Sequence, residues 1–263
     1  MNRLIRYQVL KFTCYKKFVS LVGAYFFLSF AIVFLLKNLT TQMTNSLGLA
    51  IDIFTGEVIL DTMCWVVKYC NVLLAVLIIG ILCSDFRYGM IKQAVIGGFS
   101  RLQLLFGYIF VCFLCTCISL VLLISLCYFF SSSQNPFFLS FKDLQVILSF
   151  AVYSFIAFEF AVMVAFIIKS SFASLILYFL WYLVIESILG YTLDFYFSSQ
   201  ISPFLPFHFL SNLLPIPLWA NILPEKRLTL KYVSMGSVFY GLLFPFVSYA
   251  FFSSSNLLKS SHK

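Results

Sequence analysis

The sequence predicts an all-α polytopic membrane protein with six transmembrane helices. Of its 263 residues, 62% are hydrophobic and only 10% are charged, whereas soluble domains are about half apolar and about one quarter charged. The mean hydropathy is +1.03. Six apolar segments are each close to the length of about 20 helical residues that crosses the hydrocarbon core. These segments are residues 18–36, 62–83, 104–130, 144–168, 172–193 and 235–252.

The first 17 residues are predicted to form an amphipathic helix on the membrane surface. At 100° per residue, Ile5, Val9 and Phe12 project to one side of such a helix, and most of the basic residues project to another. The basic residues of this segment are Arg3, Arg6, Lys11, Lys16 and Lys17. The pattern leaves open a second possibility, a plain positively charged flank of the first span.

The distribution of positive charge predicts that both termini lie in the cytoplasm. With six spans and a cytoplasmic N-terminus, the cytoplasmic segments carry 11 of the 17 basic residues and the outer segments carry five. Lysine and arginine concentrate on the cytoplasmic side of membrane proteins. We therefore expect a multi-pass protein of the cell's inner or plasma membrane.

Residues 194–234 do not have the pattern of a simple span. Five of the seven prolines fall between residues 203 and 224, and residues 195–224 carry no formal charge. Each proline removes a backbone donor that lipid cannot replace. We therefore predict short broken helices that lie outside the membrane or dip into its outer leaflet, and the alternative is a seventh span at 195–224.

The bridge between the second and third spans, residues 84–101, carries organised helix caps. Ser100 and Gln103 have the spacing of a capping box, in which each side chain bonds the backbone N–H of the other residue. A flexible linker would not need such caps. We therefore expect this bridge to be a rigid element.

Two glycines divide the same bridge. Gly97 and Gly98 permit the left-handed turn that ends a helix. We predict a short helix over residues 86–96 before this turn and a third transmembrane helix that begins at Arg101. Such a compact element suits the docking of a partner on the aqueous side, and the alternative is a well-capped turn that docks nothing.

Four polar residues lie inside the predicted spans and are candidates for lining a substrate pathway. They are Lys68, Asn71, Glu159 and Glu186. A charge at the bilayer centre costs about 2.5–3.5 kcal/mol on insertion scales, so such residues usually face protein or water. Lys68 could instead extend to the interface, and Glu186 could form an interhelical hydrogen bond. Glu159 lies near the middle of its span and is the best candidate for a functional contact.

Several residues of the bridge carry a family resemblance. They are Asp85, Gly89, Gly97, the pair Ser100 and Arg101, and Gly107. Together they resemble the first cytoplasmic loop of ABC-2-type permeases, the membrane subunits of ABC exporters. In that family an acidic residue follows the second span, a Ser-Arg pair opens the third, and a Gly-Lys pair often follows. Here Gly107 is followed by Tyr108 rather than by a lysine.

The resemblance implies a division of labour between chains. The short helix would be a coupling helix on a separate ATP-binding subunit, and a second permease copy, identical or related, would complete the pathway. ATP and magnesium would bind the partner, and this chain, which has no Gly-x-x-x-x-Gly-Lys-Ser/Thr motif, would carry no cofactor. The coupling residues would be Asp85, Arg87, Gly89, Lys92, Gly97, Gly98, Ser100 and Arg101.

The sequence lacks the motifs of enzymes, metal sites and nucleic-acid binding. The two histidines, His208 and His262, have no ligand-spaced partners. Cysteines at 112, 115 and 117 lie in an apolar span, where cysteine behaves as a small hydrophobe. No basic face with interleaved aromatic residues indicates a nucleic-acid partner. We therefore expect a transporter subunit surrounded by membrane lipid, and not an enzyme.

Two other functions stay open at this stage. An ion-coupled secondary transporter could use Glu159 and Glu186, although such carriers usually have broken helices in both halves of the chain. A non-transporting membrane immunity or scaffold protein could bind a partner through the same bridge. The sequence determines neither the substrate, which could be an amphipathic peptide, a lipid or a drug, nor whether the permease pair is a homodimer or a heterodimer.

Overall fold

In a computed structural model of the protein, the structure describes residues 18–47, 54, 58–131, 140–197, 204–214 and 230–254. Within these ranges 91% of the residues are helical and no residue forms a strand. The predicted amphipathic helix at 1–17 lies outside the described residues.

The described chain forms nine α-helices and one π-helical turn. Their bounds are α1 Phe18–Leu47, α2 Ile59–Arg87, α3 Met90–Ile96, α4 Arg101–Phe130, α5 Phe141–Ile168, α6 Ser171–Leu180, the π turn Trp181–Ile185, α7 Glu186–Phe197, α8 Pro206–Ser211 and α9 Leu230–Ser254. Six helical segments are long and apolar enough to span a membrane: α1, α2, α4, α5, the continuous run from α6 to α7, and α9. The predicted all-α class with six such helices is confirmed, and the chain is a multi-pass membrane protein.

Helices α2 and α5 form the centre of the bundle. Helix α5 contacts α2, α4, α6 and α9, while α1 packs mainly on α2. About two thirds of the most apolar stretch of α2 and of α5 is buried, whereas α1, the fifth span and α9 leave most of theirs exposed. Helices that are apolar on all sides suit this arrangement, because their outer faces can contact lipid.

The bridge after α2 is shorter than the sequence predicts. The predicted helix over 86–96 is wrong in its first residues, because α2 continues to Arg87 and α3 begins only at Met90. Between them Gly89 has a φ of 67°, a left-handed conformation that glycine adopts without steric cost. We call residues 88–100 the turn, and the end of the bundle that carries it the loop end.

The predicted caps of the turn are confirmed. Ser100 accepts a hydrogen bond from the backbone N–H of Gln103, and the Gln103 side chain accepts one from the N–H of Ser100. Gly98 has a φ of 92°, as the glycine turn requires. The start of α4 at Arg101 is therefore fixed by local hydrogen bonds.

Helix α8 inserts into the bundle. The Phe207 ring lies 5.2 Å from the Phe160 ring of α5, centroid to centroid, and also contacts Tyr178 of α6. At 1.5 Å per residue, Phe160 lies about 12 Å from the loop end of α5. The Phe207 side chain thus reaches the middle of the bundle. Pro206 is compatible with this depth because it lies at the first position of α8, where the missing N–H would have no partner within the helix.

Candidate functional site

The turn has a buried side and an exposed side. Ile91 of α3 is 3% exposed and packs into the core. Tyr88 and Ile96 are 71% and 77% exposed, and Gln93 between them is also exposed. A short capped element thus exposes two large apolar side chains, against which a partner could pack.

The structure divides the predicted coupling residues between these two sides. Arg87, Gly97, Gly98 and Ser100 are exposed, whereas Gly89, Lys92 and Arg101 are partly buried and Asp85 is buried. The residues Tyr88, Gln93 and Ile96 complete the exposed side but were not predicted, because neither the caps nor the family motif includes them.

Asp85 holds α2 to α4. Its side chain is 1% exposed, and its Oδ2 accepts a hydrogen bond of 2.5 Å from the Tyr108 hydroxyl. Hydrogen bonds to a carboxylate are short and strong. The Tyr108 hydroxyl therefore links the second turn of α4 to the last turn of α2.

Arg101 points toward the last helix rather than away from the bundle. Its Nη1 donates to the backbone oxygen of Phe252 at 3.2 Å and also to the backbone oxygen of Ser253. Both oxygens lie in the last turn of α9, where carbonyl groups have no partner within the helix. A cation is also favoured at that end by the helix dipole.

A buried hydrogen-bond network joins four spans in the interior of the bundle. Asn71 of α2 accepts from Ser119 of α4 at 2.7 Å and donates to Ser154 of α5 at 2.9 Å. Tyr25 of α1 lies 3.0 Å from Asn71 Oδ1 and 3.1 Å from Ser119 Oγ, measured from its hydroxyl. None of the four side chains is more than 3% exposed.

Every member of this network can be satisfied at once. One consistent arrangement has the Tyr25 hydroxyl donating to Ser119, Ser119 to Asn71 Oδ1, and Asn71 Nδ2 to Ser154. Water cannot reach these groups and lipid cannot form hydrogen bonds with them, so the four side chains must satisfy one another. Asn71, a predicted pathway residue, therefore joins four helices in this network.

Glu186 caps the inserted helix α8. It follows the π turn directly and is 1% exposed. Its Oε1 accepts a hydrogen bond of 2.5 Å from the backbone N–H of His208, one of the first-turn donors that a helix leaves without an internal partner. The Trp181 indole faces the same carboxylate, although within the described residues its Nε1 forms no hydrogen bond of ordinary geometry.

Glu159 has different surroundings from Glu186. It is 4% exposed, and its Oε2 has no hydrogen-bond partner within the part of the chain that the structure describes. The thiol of Cys112 on α4, which is completely buried, lies near enough to interact electrostatically with this carboxyl group. The two acids thus differ in their bonding, because Glu186 Oε1 bonds α8 whereas Glu159 has no hydrogen bond to another element among the described residues.

Lys68 lies among aromatic side chains toward the end of α2 that is opposite the loop end. Its Nζ is 5.4 Å from the ring centroid of Trp65 and 4.9 Å from that of Tyr69. Such distances allow cation–π attraction. The arrangement fits a lysine that extends along its own helix toward the interface.

Several residues of these sites were missed by sequence reasoning. Tyr25, Ser119 and Ser154 form the buried network, Tyr108 binds Asp85, and Trp181 faces Glu186. Hydroxyl-bearing residues are common in transmembrane helices and often bond to their own backbone, so their presence alone predicts no interhelical contact.

Comparison with protein-family models, with curated proteins and with solved structures finds no match to this chain.

Proposed function

We propose that this chain is the permease subunit of an ATP-driven exporter of the ABC-2 type. The turn docks on a separate ATP-binding subunit, and a second permease copy completes the translocation pathway. The observation that carries the proposal is the turn itself, a capped element with two large apolar side chains, Tyr88 and Ile96, on its exposed side.

The way in which the turn is attached to the bundle also supports the proposal. A coupling element must move spans when its partner moves it. Asp85 bonds α2 to α4 just beside the turn, and Arg101 bonds the start of α4 to the end of α9. Force applied to the turn would thus reach three of the six spans through specific contacts.

The first test is co-purification with a Walker-motif ATPase encoded next to this chain. We expect Tyr88→Gln and Ile96→Gln to reduce capture of the ATPase by roughly tenfold each, because a buried apolar anchor typically contributes at least 1–2 kcal/mol to binding. The measurement is the amount of ATPase retained on the tagged permease in detergent or nanodiscs.

Tyr128→Gln is the matched control for this test. Tyr128 is 79% exposed and lies near the opposite end of α4, so its substitution should leave capture unchanged. Equal capture by all three variants would contradict docking at the turn, as would transport by the purified chain with no ATPase present.

A second candidate function, an ion-coupled carrier, is favoured by one observation. The Glu159 Oε2 is buried without a hydrogen-bond partner among the described residues, and a buried acid of this kind often marks an ion or proton path. In that case the chain alone would move its substrate in proteoliposomes when a proton gradient is applied.

Glu159→Gln distinguishes this carrier from a permease that uses no ion gradient. In the carrier, Glu159→Gln abolishes gradient-driven transport while Lys68→Gln largely retains it, since Lys68 lies against aromatic rings near one end of α2. Wild-type transport by both variants would remove Glu159 from the mechanism.

A further inference from the structure

One guanidinium nitrogen at the start of α4 donates two hydrogen bonds to the end of α9. Arg101 Nη1 donates to the backbone oxygens of both Phe252 and Ser253. Hydrogen bonds from a charged donor are roughly twice as strong as neutral ones, and both oxygens belong to the last turn of α9, where helix geometry leaves carbonyl groups for donors from outside the helix. Arg101 follows the Ser100 cap directly, so it lies where the turn ends and the span begins.

An aromatic cluster lies beneath this contact and includes the same helix end. Phe166 of α5 is completely buried, and its ring lies 5.0 Å from Phe252 of α9, 5.7 Å from Phe86 of α2 and 5.6 Å from Tyr108 of α4. Through this one ring, the last turn of α2 and the second turn of α4 both meet the end of α9. Packed interiors shift between discrete arrangements instead of deforming smoothly.

These contacts couple movement of the turn to the last span at the loop end, without involving the middle of the bundle. We infer that Arg101 is a positioning residue that makes the end of α9 move together with the turn, and that its task is internal transmission and not contact with the ATPase. The expected effect on transport rests on the proposed function. The inferred role also differs from the sequence-based prediction, which placed Arg101 among the residues that dock on the ATPase.

The transport test compares Arg101→Gln with Arg101→Lys. Arg101→Gln should retain ATPase capture within a factor of two, because the side chain is turned toward α9. It should lower coupled transport at least tenfold, because both charge-assisted hydrogen bonds to α9 are lost and one alone is worth about that factor. Arg101→Lys should keep more than half of the transport, since one ammonium can replace the single nitrogen that makes both bonds. Loss of ATPase capture in Arg101→Gln would overturn the inference.

Arg87 provides a matched arginine with the opposite expectation. It ends α2 at the same end of the bundle and is exposed. Arg87→Gln should weaken ATPase capture and leave the attachment of α9 intact. If Arg87→Gln and Arg101→Gln had the same effects on ATPase capture and on the distance between the turn and the end of α9, the separate role of Arg101 would be refuted.

A distance measurement tests the attachment without any partner. Spin labels at Gln93→Cys on the turn and Phe251→Cys on α9 occupy exposed positions. In a full-length chain whose reactive native cysteines are replaced by serine, double electron–electron resonance should give a narrow distance distribution between them. Arg101→Gln should broaden it, and Arg101→Lys and Arg87→Gln should not. If the distribution in Arg101→Gln stays narrow, the inference is overturned, even if an ATPase binds to the chain. If the distribution broadens but no ATPase partner exists, only the proposed function is refuted.

Discussion

At the scale of single residues, the polar groups inside the bundle separate into two kinds. Asn71 and Glu186 bond to other helices, and each bond satisfies a group that lipid would leave unpaired. Glu159 has no hydrogen bond to another helix among the described residues, and its Oε2, like the Oε2 of Glu186, is buried without a partner there. Replacing Asn71 or Glu186 therefore removes a hydrogen bond between helices. Replacing Glu159 breaks no hydrogen bond among the described residues.

The network around Asn71 leads to a prediction about stability. Asn71→Leu should lower the free energy of unfolding by about 1–3 kcal/mol, because it removes the buried acceptor of the Ser119 hydroxyl and the buried donor to Ser154. The measurement is thermal or denaturant unfolding of the purified chain in detergent.

Thr116→Val is the control for this network prediction. Thr116 is also buried, in α4, but its hydroxyl donates to the backbone oxygen of Cys112 one turn earlier, a contact that adds little to a helix. Its loss should change stability by less than about 0.5 kcal/mol. Equal effects of Thr116→Val and Asn71→Leu would show that the network does not hold the spans together.

At the scale of elements, α8 depends on close packing against α9. The Phe209 ring is 2% exposed and lies against Gly236, where the methyl group of an alanine would come within 2.2 Å of the ring. Tyr240 of α9 also donates a hydrogen bond of 2.5 Å to the backbone oxygen of Phe204. The position of α8 is thus fixed by α9 on one side and by Glu186 on the other.

Gly236→Ala should therefore displace Phe209 and destabilise the protein by about 1–3 kcal/mol, the usual cost of overpacking. Gly241→Ala in the same helix is the control, because its added methyl group would lie 3.9 Å from Ile156, an ordinary contact. Helix propensity should leave that variant equally stable or up to about 1 kcal/mol more stable. Unfolding in detergent measures both, and a stable Gly236→Ala variant would show that α8 is not packed in this way.

At the scale of the whole molecule, the central pair α2 and α5 organises the other spans, and the turn lies at one end of this pair. Phe86 of α2 and Phe166 of α5 meet directly beside the turn, 5.7 Å apart. The more exposed α1, fifth span and α9 surround the pair. A force on the turn thus acts on the most buried helices of the bundle.

The six spans predict a definite topology. Tags at both termini and a cysteine at Gln93 should all be accessible from the cytoplasmic side, since an even number of spans returns the chain to the side where it began and positive charge favours that side. Accessibility of tags and thiol in intact cells and inverted vesicles measures this. Termini on opposite sides would indicate that 195–224 crosses as a seventh span.

The amino-acid sequence by itself determined the class of the protein, the number of long apolar helices and the caps of the turn. Hydropathy and segment length set the first two because lipid requires all backbone bonds to be made within each span. The capping box at Ser100 and the left-handed turn at Gly98 depend only on residues close together in the chain, so local chemistry suffices to predict them.

Only the tertiary structure decided which polar side chains meet. Asn71 and Ser119 are 48 residues apart in the chain, and Arg101 and Phe252 are 151 apart; in helices that are apolar on nearly every side, no periodicity reveals which face is turned inward. Packing thus placed Asn71 in a closed network, Glu186 on α8 and Arg101 on the last helix. The rotation of each helix about its own axis is set by packing against its neighbours. Predicting which face points inward therefore requires the positions of all the helices together.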